Sequence, residues 1–142
     1  MNLPKDYRIE FKNPTPIEYD KIRNTTAWDK LDLVTIEKGL EKTLFSVCLY
    51  DIDKLIGIGR IVGDGSIYFY IQDIIVIPEY QGKGLGKIIM NEIMQYLDDS
   101  ANHNLFIGLM AAEGVEKFYH KFGFKTRPTS KPGMYSVYKK TK

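Results

Sequence analysis

The sequence predicts an α+β fold. Three observations predict it: runs rich in β-branched and aromatic residues lie between residues 44 and 77, helical apolar stripes follow, and another apolar run separates those stripes. No internal repeat, low-complexity segment or linker interrupts the 142 residues. We therefore expect one domain over residues 1–142, large enough to bury an ordinary apolar core.

The chain is expected to open with a short strand, Tyr7–Phe11, and two helices. Thr15 can cap the first helix, Pro16 suits its first position, and Glu18 can complete a capping box. The second helix is expected over residues 32–42. Its apolar side is formed by Leu33, Ile36 and Leu40.

Three strands are expected next, over residues 44–50, 55–62 and 67–77. The segments 51–54 and 63–65 that separate them are turn-like. Short turn-like separators join neighbouring antiparallel strands, so the three runs predict an antiparallel meander.

After Pro78 the apolar period becomes helical. An amphipathic helix is expected from residue 85 to residue 97, and a buried strand follows at residues 105–110. A last helical stripe should end at Gly123 in a left-handed cap, and a final strand is expected at residues 135–139. The stripes consist of Leu85, Ile89, Ile93 and Leu97 in one helix and of Val115, Phe118 and Phe122 in the other.

The composition excludes several classes of function. A net charge of +2, from 20 basic and 18 acidic residues, is too even for a nucleic-acid surface. No stretch reaches the roughly 18 apolar residues that a membrane span needs. The single cysteine, Cys48, excludes an internal disulfide, suits a reducing compartment and is expected in the core. We therefore expect a cytoplasmic protein without membrane or nucleic-acid partners. No metal site is expected, because no His, Cys or Asp cluster has metal-ligand spacing. The sequence leaves open whether the chain forms a homodimer.

The most informative segment is a turn with glycines at alternate positions, Gly82, Gly84 and Gly86. It joins a buried strand to an amphipathic helix, and glycines let an anion approach the backbone N–H groups closely. The helix start adds unpaired N–H groups and the positive end of its dipole, and Lys83 and Lys87 add charge. The segment therefore predicts a diphosphate site.

Two familiar diphosphate motifs do not fit. A nucleotide P-loop would need a glycine where Gln81 stands and Ser or Thr where Ile88 stands. The dinucleotide fingerprint would need a glycine at Ile89. Nucleotide hydrolysis and dinucleotide binding are therefore not expected.

The segment 81–86, Gln-Gly-Lys-Gly-Leu-Gly, resembles the Gln/Arg-x-x-Gly-x-Gly/Ala signature of the GNAT superfamily of N-acetyltransferases. Upstream, Val76, Pro78 and Tyr80 extend the likeness. Downstream, the segment 118–124 is similar to that family's second cofactor motif, Phe-Tyr-x-Lys-x-Gly-Phe. The resemblance covers residues 44–124 well and the first 43 residues only by general layout.

The resemblance implies a mixed, mostly antiparallel sheet that splays apart at its centre and receives acetyl-CoA. It implies that the diphosphate meets the N–H groups of residues 81–86 and that the pantetheine arm pairs with the strand around Ile75 and Val76. Family members often carry an Asn where this chain has Ala112, so that contact is missing or supplied elsewhere. The residues assigned to cofactor binding are Ile75, Val76, Gln81, Gly82, Lys83, Gly84, Leu85, Gly86, Lys87 and Phe118.

The implied activity is direct transfer of an acetyl group to a primary amine, in a ternary complex with a small-molecule acceptor. Tyr119 matches the family tyrosine that contacts the CoA sulfur, and a core aromatic is the alternative. Asp73, the one acid in its apolar run, is a candidate base, or a structural partner of a backbone bulge or of Arg60.

Two residues are candidates for the acceptor side. Trp28 lies in the loop between the first two helices, where it walls a pocket or packs in the core. Asp64 holds a cationic acceptor or serves its own turn. A non-catalytic module that binds or senses acetyl-CoA is the alternative to an enzyme, and the sequence does not identify the acceptor.

Overall fold

The computed structural model describes residues 3–140. The chain forms two compact units, Met1–Met110 and Ala111–Lys142. Among the described residues, the first unit holds the sheet, three α-helices and a 3₁₀ helix, Pro78–Tyr80, and the second holds one short α-helix. That the whole chain acts as one domain stays a prediction.

The first unit begins with strand β1, Tyr7–Glu10, helix α1, Pro16–Arg23, and helix α2, Leu33–Glu41. The predicted capping box at the start of α1 is confirmed. The N–H of Glu18 donates to the Thr15 hydroxyl oxygen at 3.1 Å, and the N–H of Thr15 donates to the Glu18 carboxylate at 2.9 Å. Two of the helix's unpaired donors are thus satisfied locally.

The predicted meander is also confirmed. Strands β2, Phe45–Asp51, β3, Lys54–Gly63, and β4, Tyr68–Val76, pair antiparallel with their neighbours. A short strand β5, Phe106–Gly108, pairs parallel with β4, and the order in the sheet is β1-β2-β3-β4-β5. The sheet is therefore mixed and mostly antiparallel.

Helix α3, Leu85–Ser100, packs on one face of the sheet. Gly57 and Gly59 of β3 allow this close packing, because a Cβ at Gly59 would lie 2.5 Å from the Ile89 side chain. Side chains alternate along a strand, so Arg60 points to the opposite face, where it contacts α1 and α2. The open edge of β4 lies between these two layers.

Two predictions about burial are wrong. Residues 105–110 were expected as a buried strand, but only Phe106–Gly108 is regular and the Phe106 side chain is 50% exposed. The strand lies at the end of the sheet order, so in the described residues it has a strand neighbour on one side alone. Leu33 was expected on the buried side of α2 and is exposed, since it stands at the first position of the helix.

The second unit contains helix α4, Glu116–His120. Gly123 has a φ of +92°, and the N–H of Phe124 donates to the Tyr119 carbonyl at 3.3 Å, so the predicted left-handed cap is confirmed. The strand expected at residues 135–139 is wrong: no strand lies within residues 111–140. Tyr135 and Tyr138 are exposed there, and alternating β-branched and aromatic residues do not form a strand without a partner.

Candidate functional site

Strands β4 and β5 separate after three residue pairs. The pairing runs from Tyr68 opposite Phe106 to Tyr70 opposite Gly108. Beyond Tyr70, β4 continues to Val76 with no strand beside it on that edge in residues 3–140. This is the splay that the resemblance implied.

The open edge of β4 carries backbone groups that an extended ligand can pair with. The N–H of Ile77 donates to the Ile56 carbonyl, and Ile75 pairs with Ile58, so these alternate residues direct their polar groups toward β3. Val76 between them directs its N–H and carbonyl toward the open edge. Its carbonyl accepts a hydrogen bond from the Gln81 side chain at 2.9 Å, which ties the glycine turn to the strand.

The glycine turn presents a row of unbonded N–H groups. Gly82 and Gly84 both have a φ of +80°, a backbone conformation that side chains with a Cβ disfavour. Gly84 caps α3 without a side-chain hydrogen bond, and the first bond of the helix runs from the Ile88 N–H to the Gly84 carbonyl. In the described part of the chain, no acceptor meets the backbone N–H groups of residues 82–87. The Gln81 N–H is different, because it donates to the Pro78 carbonyl.

The turn is anchored to the hairpin between β2 and β3. The Tyr80 hydroxyl donates to the Asp51 carboxylate at 2.6 Å, and this hydrogen bond raises the pKa of Tyr80 to about 12. The ammonium groups of Lys83 and Lys54 lie 5.3 and 5.7 Å from the centre of the Tyr80 ring. Positive charge therefore adds to the dipole of α3 beside the row of N–H groups.

Asp73 lies in a bulge of β4 and is 2% exposed. One carboxylate oxygen accepts hydrogen bonds from Arg60 at 2.8 Å and from the Tyr19 hydroxyl at 2.7 Å. Both structural alternatives from the sequence, a bulge and an ion pair with Arg60, are present. Burial, and secondarily the Asp73 charge, raises the pKa of Tyr19 to about 12. Whether Asp73 also accepts a proton in the reaction stays a prediction.

Sequence reasoning missed the place of Tyr19 and Arg23 beside Asp73. The Arg23 guanidinium donates to the Tyr19 hydroxyl oxygen at 3.3 Å and lies 4.0 Å from the Asp73 carboxylate. It also lies over the Trp28 ring, 5.2 Å from the centre. The spacing of four residues between Tyr19 and Arg23 places them on one face of α1, which is the signal that links them.

The two acceptor-side candidates have different surroundings. Trp28 is 42% exposed and packs against Arg23 at the surface. It is therefore not a core residue. The Asp64 carboxylate accepts the N–H groups of the three residues Ser66, Ile67 and Tyr68, which lower its pKa. Asp64 therefore stabilises its own turn, as the structural alternative expected. Acceptor contacts by either residue stay a prediction.

Cys48 is fully buried, and its burial raises the pKa of the thiol to about 12. The expectation of a core cysteine is confirmed.

In the second unit, Phe118 and Tyr119 form an aromatic cluster. Their ring centres lie 5.1 Å apart in an edge-on contact, and Phe124 lies 6.4 Å from Tyr119. Burial raises the pKa of Tyr119, so its hydroxyl keeps the proton at neutral pH. The roles expected for Phe118 and Tyr119 stay predictions.

Neither a metal cluster nor a membrane-spanning helix is found in residues 3–140. No group of three or more His, Cys, Asp or Glu side chains there is placed to hold a metal ion. No helix in that range is long and apolar enough to cross a membrane.

A splayed strand edge next to a row of free N–H groups defines a site for an extended ligand that ends in an anion. The sequence model of the acetyltransferase (GNAT) domain matches residues 23–133. The chain belongs to this family and is an acetyltransferase. Members of the family generally use acetyl-CoA as cosubstrate, and the N–H row and the open edge fit such a molecule.

Known proteins agree with this assignment. A probable acetyltransferase of unknown function from methicillin-resistant Staphylococcus aureus has a TM-score of 0.87 and 37% identity, over 93% of this chain and 99% of that one. An uncharacterized ycf52-like N-acetyltransferase of Prochlorococcus marinus is 31% identical over 79% of this chain, which spans 63% of that protein's length. The chloroplastic GCN5-related N-acetyltransferase 2 of Arabidopsis thaliana is 38% identical over 58% of this chain and 31% of its own length.

Proposed function

We propose that the chain transfers the acetyl group of acetyl-CoA directly to a primary amine of a small molecule, in a ternary complex of enzyme and both substrates. The observation that carries the proposal is the row of unbonded N–H groups at residues 82–87, beside the open edge of β4 at Val76. A diphosphate satisfies such donors, and the helix dipole favours its charge. A pantetheine arm has amide groups that can pair with a strand edge.

Direct transfer requires that the amine loses a proton. An alkylamine has a pKa of about 10, like that of lysine, so most of it arrives protonated at neutral pH. We propose that this proton passes to water. The support is that Asp73, the acid on β4, already accepts two hydrogen bonds at one of its oxygens and is 2% exposed.

The leaving thiolate of CoA requires a proton or a hydrogen bond. We assign this donor role to Tyr119, which follows Phe118 in the second motif. The support is that position in the motif, and the phenol, which is protonated at neutral pH as an ordinary tyrosine is, can donate a hydrogen bond to the sulfur. Phe118 is assigned to packing against the cofactor next to it.

The acceptor is proposed to bind on the side of α1 and α2. Trp28 presents an exposed aromatic face in the loop between these helices, and Arg23 beneath it holds that face in place. The near-neutral net charge of +2 favours a small acceptor over a large acidic or basic partner. We do not assign Asp64 to the acceptor site, since its carboxylate already accepts hydrogen bonds from backbone N–H groups of its own turn.

The reaction is placed in a reducing compartment as part of the same proposal. Cys48 is buried and without a disulfide partner, which suits the cytoplasm. The Arabidopsis relative is named as chloroplastic, so the plastid is the alternative compartment.

A thiol-release assay tests the proposal. Full-length protein is incubated with acetyl-CoA and a panel of small primary amines, polyamines, amino acids and peptides, and free CoA thiol is measured over time. We expect release that depends on one class of small amine, with the acetylated amine identified by mass spectrometry. Tight CoA binding without thiol release on any amine would contradict transfer, and release on peptides alone would contradict a small acceptor.

A further inference from the structure

The bulge in β4 places a residue with a side chain in an unusual backbone conformation. Ile58 pairs with Ile75 and Arg60 with Gln72, so β4 holds one more residue than β3 between these pairs. Asp73 lies in that bulge with a φ of +59°. A residue with a Cβ is disfavoured there, so surrounding contacts must maintain the conformation.

The contacts that maintain it converge on the Asp73 carboxylate. Arg60 and Tyr19 both donate to the same oxygen, from β3 and from α1. Arg23, lying 4.0 Å from the other oxygen, adds positive charge from the last turn of α1. Three cationic or hydroxyl groups from two elements thus surround one buried carboxylate.

Arg60 is itself fixed on its far side. Its remaining guanidinium nitrogens donate to the Thr43 hydroxyl at 2.9 and 3.1 Å and to the Gly39 carbonyl at 3.2 Å. Arg60 is 7% exposed, whereas arginine in proteins usually reaches solvent. Arg60 therefore joins the end of α2 to the bulge through a fixed, forked set of hydrogen bonds.

We propose that Arg60 and Tyr19 are positioning residues, which hold Asp73 in the bulge and so fix the open edge of β4 that receives the cofactor arm. Asp73 serves in this arrangement as the buried anchor of the bulge and not as the base. The inference rests on the proposed function, because it assumes that acetyl-CoA pairs with this edge. The bulge ends one residue before Ile75, so a change in its geometry displaces Val76 and the Gln81 contact that depends on it.

The test compares Arg60→Met with Asp73→Asn. The first variant leaves the carboxylate, the second leaves the guanidinium, and both remove the ion pair. We expect both to weaken CoA binding by a similar factor, measured by titration calorimetry on full-length protein. If the native bulge is then populated in about a tenth of the molecules, the apparent Kd rises about tenfold.

Three further variants separate positioning from general instability and from base chemistry. Arg60→Met combined with Asp73→Asn should weaken CoA binding by less than the sum of the two single changes, since both remove the contact between Arg60 and Asp73. Tyr19→Phe, which removes one hydrogen bond and keeps the ring, should weaken CoA binding less and gives a readout if the charged variants do not fold. Ile22→Ala alters the same helix in the buried core and should lower stability without changing the Kd of CoA.

The pH profile of transfer supplies the decisive contrast. We expect Asp73→Asn to keep the shape of the wild-type profile, with a rate loss of roughly 100-fold at most, as for a misplacement of about 1 Å. The inference is overturned if Asp73→Asn alone removes the acidic limb while Arg60→Met keeps the wild-type rate, because Asp73 is then the base. It is also overturned if both variants bind CoA like the wild type. Failure of the wild type to bind CoA would instead refute the proposed function.

Discussion

Replacing Gly86 by valine tests whether the glycine turn binds the diphosphate of CoA. Gly86 is the second residue of α3, and it is not among the glycines with a positive φ. Valine has a higher helix propensity than glycine, so the free protein should fold at least as stably as the wild type. Any loss of binding then comes from the side chain at the anion site.

The expected loss follows from the N–H row. A branched side chain in the first turn of α3 keeps the diphosphate from the backbone donors of residues 82–87. A hydrogen bond to a charged group contributes about 1.5–3 kcal/mol. Losing one such bond raises Kd by roughly 10- to 150-fold.

Two other variants define the control. Gly86→Ala should retain binding, because the family signature accepts Gly or Ala there, and should stabilise α3 by up to about 1 kcal/mol. Gly84→Val is a poorer test, since the φ of +80° adds roughly 1–2 kcal/mol of backbone strain to any effect on binding.

The assay is calorimetric titration of CoA into each variant, with urea unfolding to compare stability. The reasoning is refuted if Gly86→Val folds normally and binds CoA with the wild-type Kd. The turn is then not the diphosphate site.

Two further predictions concern chemistry and pH. Tyr119→Phe should lower kcat and kcat/KM by the same factor and leave the Kd of acetyl-CoA nearly unchanged. The factor should lie near or below the low end of the 10²- to 10⁴-fold range for general acid catalysis. If the variant turns over at the wild-type rate, Tyr119 is a packing residue. The pKa values of Cys48 and Tyr19 are about 12 in the fold, above the ordinary values of 9.0 and 10.0, so the unfolded chain releases these protons at lower pH. Their contribution to stability is therefore complete below about pH 9 and is lost as pH rises toward 12. Urea unfolding between these limits should show Cys48→Ala losing stability less steeply than the wild type, by up to about 1.4 kcal/mol per pH unit, and equal slopes would show that the thiol does not contribute.

Features that depend on neighbours in sequence were predictable. The capping box at Thr15 and Glu18, the left-handed Gly123 and the glycine turn each arise within a few residues. The antiparallel meander was equally predictable, because short turn-like segments between strands favour antiparallel pairing of neighbours. Local patterns in the sequence therefore predicted the elements of the first unit and the glycine turn at the start of α3, and anion binding at that turn stays a prediction.

Features that depend on distant residues were not predictable to the same degree. Tyr19 and Asp73 are 54 positions apart, and their hydrogen bond exists because α1 packs over the bulge of β4. Asp73 and Arg60 were recognisable as a candidate pair, but the hydrogen bond from Tyr19 to the same carboxylate oxygen depends on the fold. The prediction of a strand at residues 135–139 was wrong for a related reason, because a strand pattern in the sequence does not show whether a partner strand is available.

Unfolding of the full-length protein with and without CoA tests the central claim most directly. CoA should stabilise the fold, without added metal, by about 2.7 kcal/mol at a hundred times its Kd. Gly86→Ala should show a similar gain and Gly86→Val a much smaller one at the same CoA concentration. If millimolar CoA leaves the stability of the wild-type protein unchanged, the row of N–H groups at residues 82–87 is not a CoA site and the account is wrong.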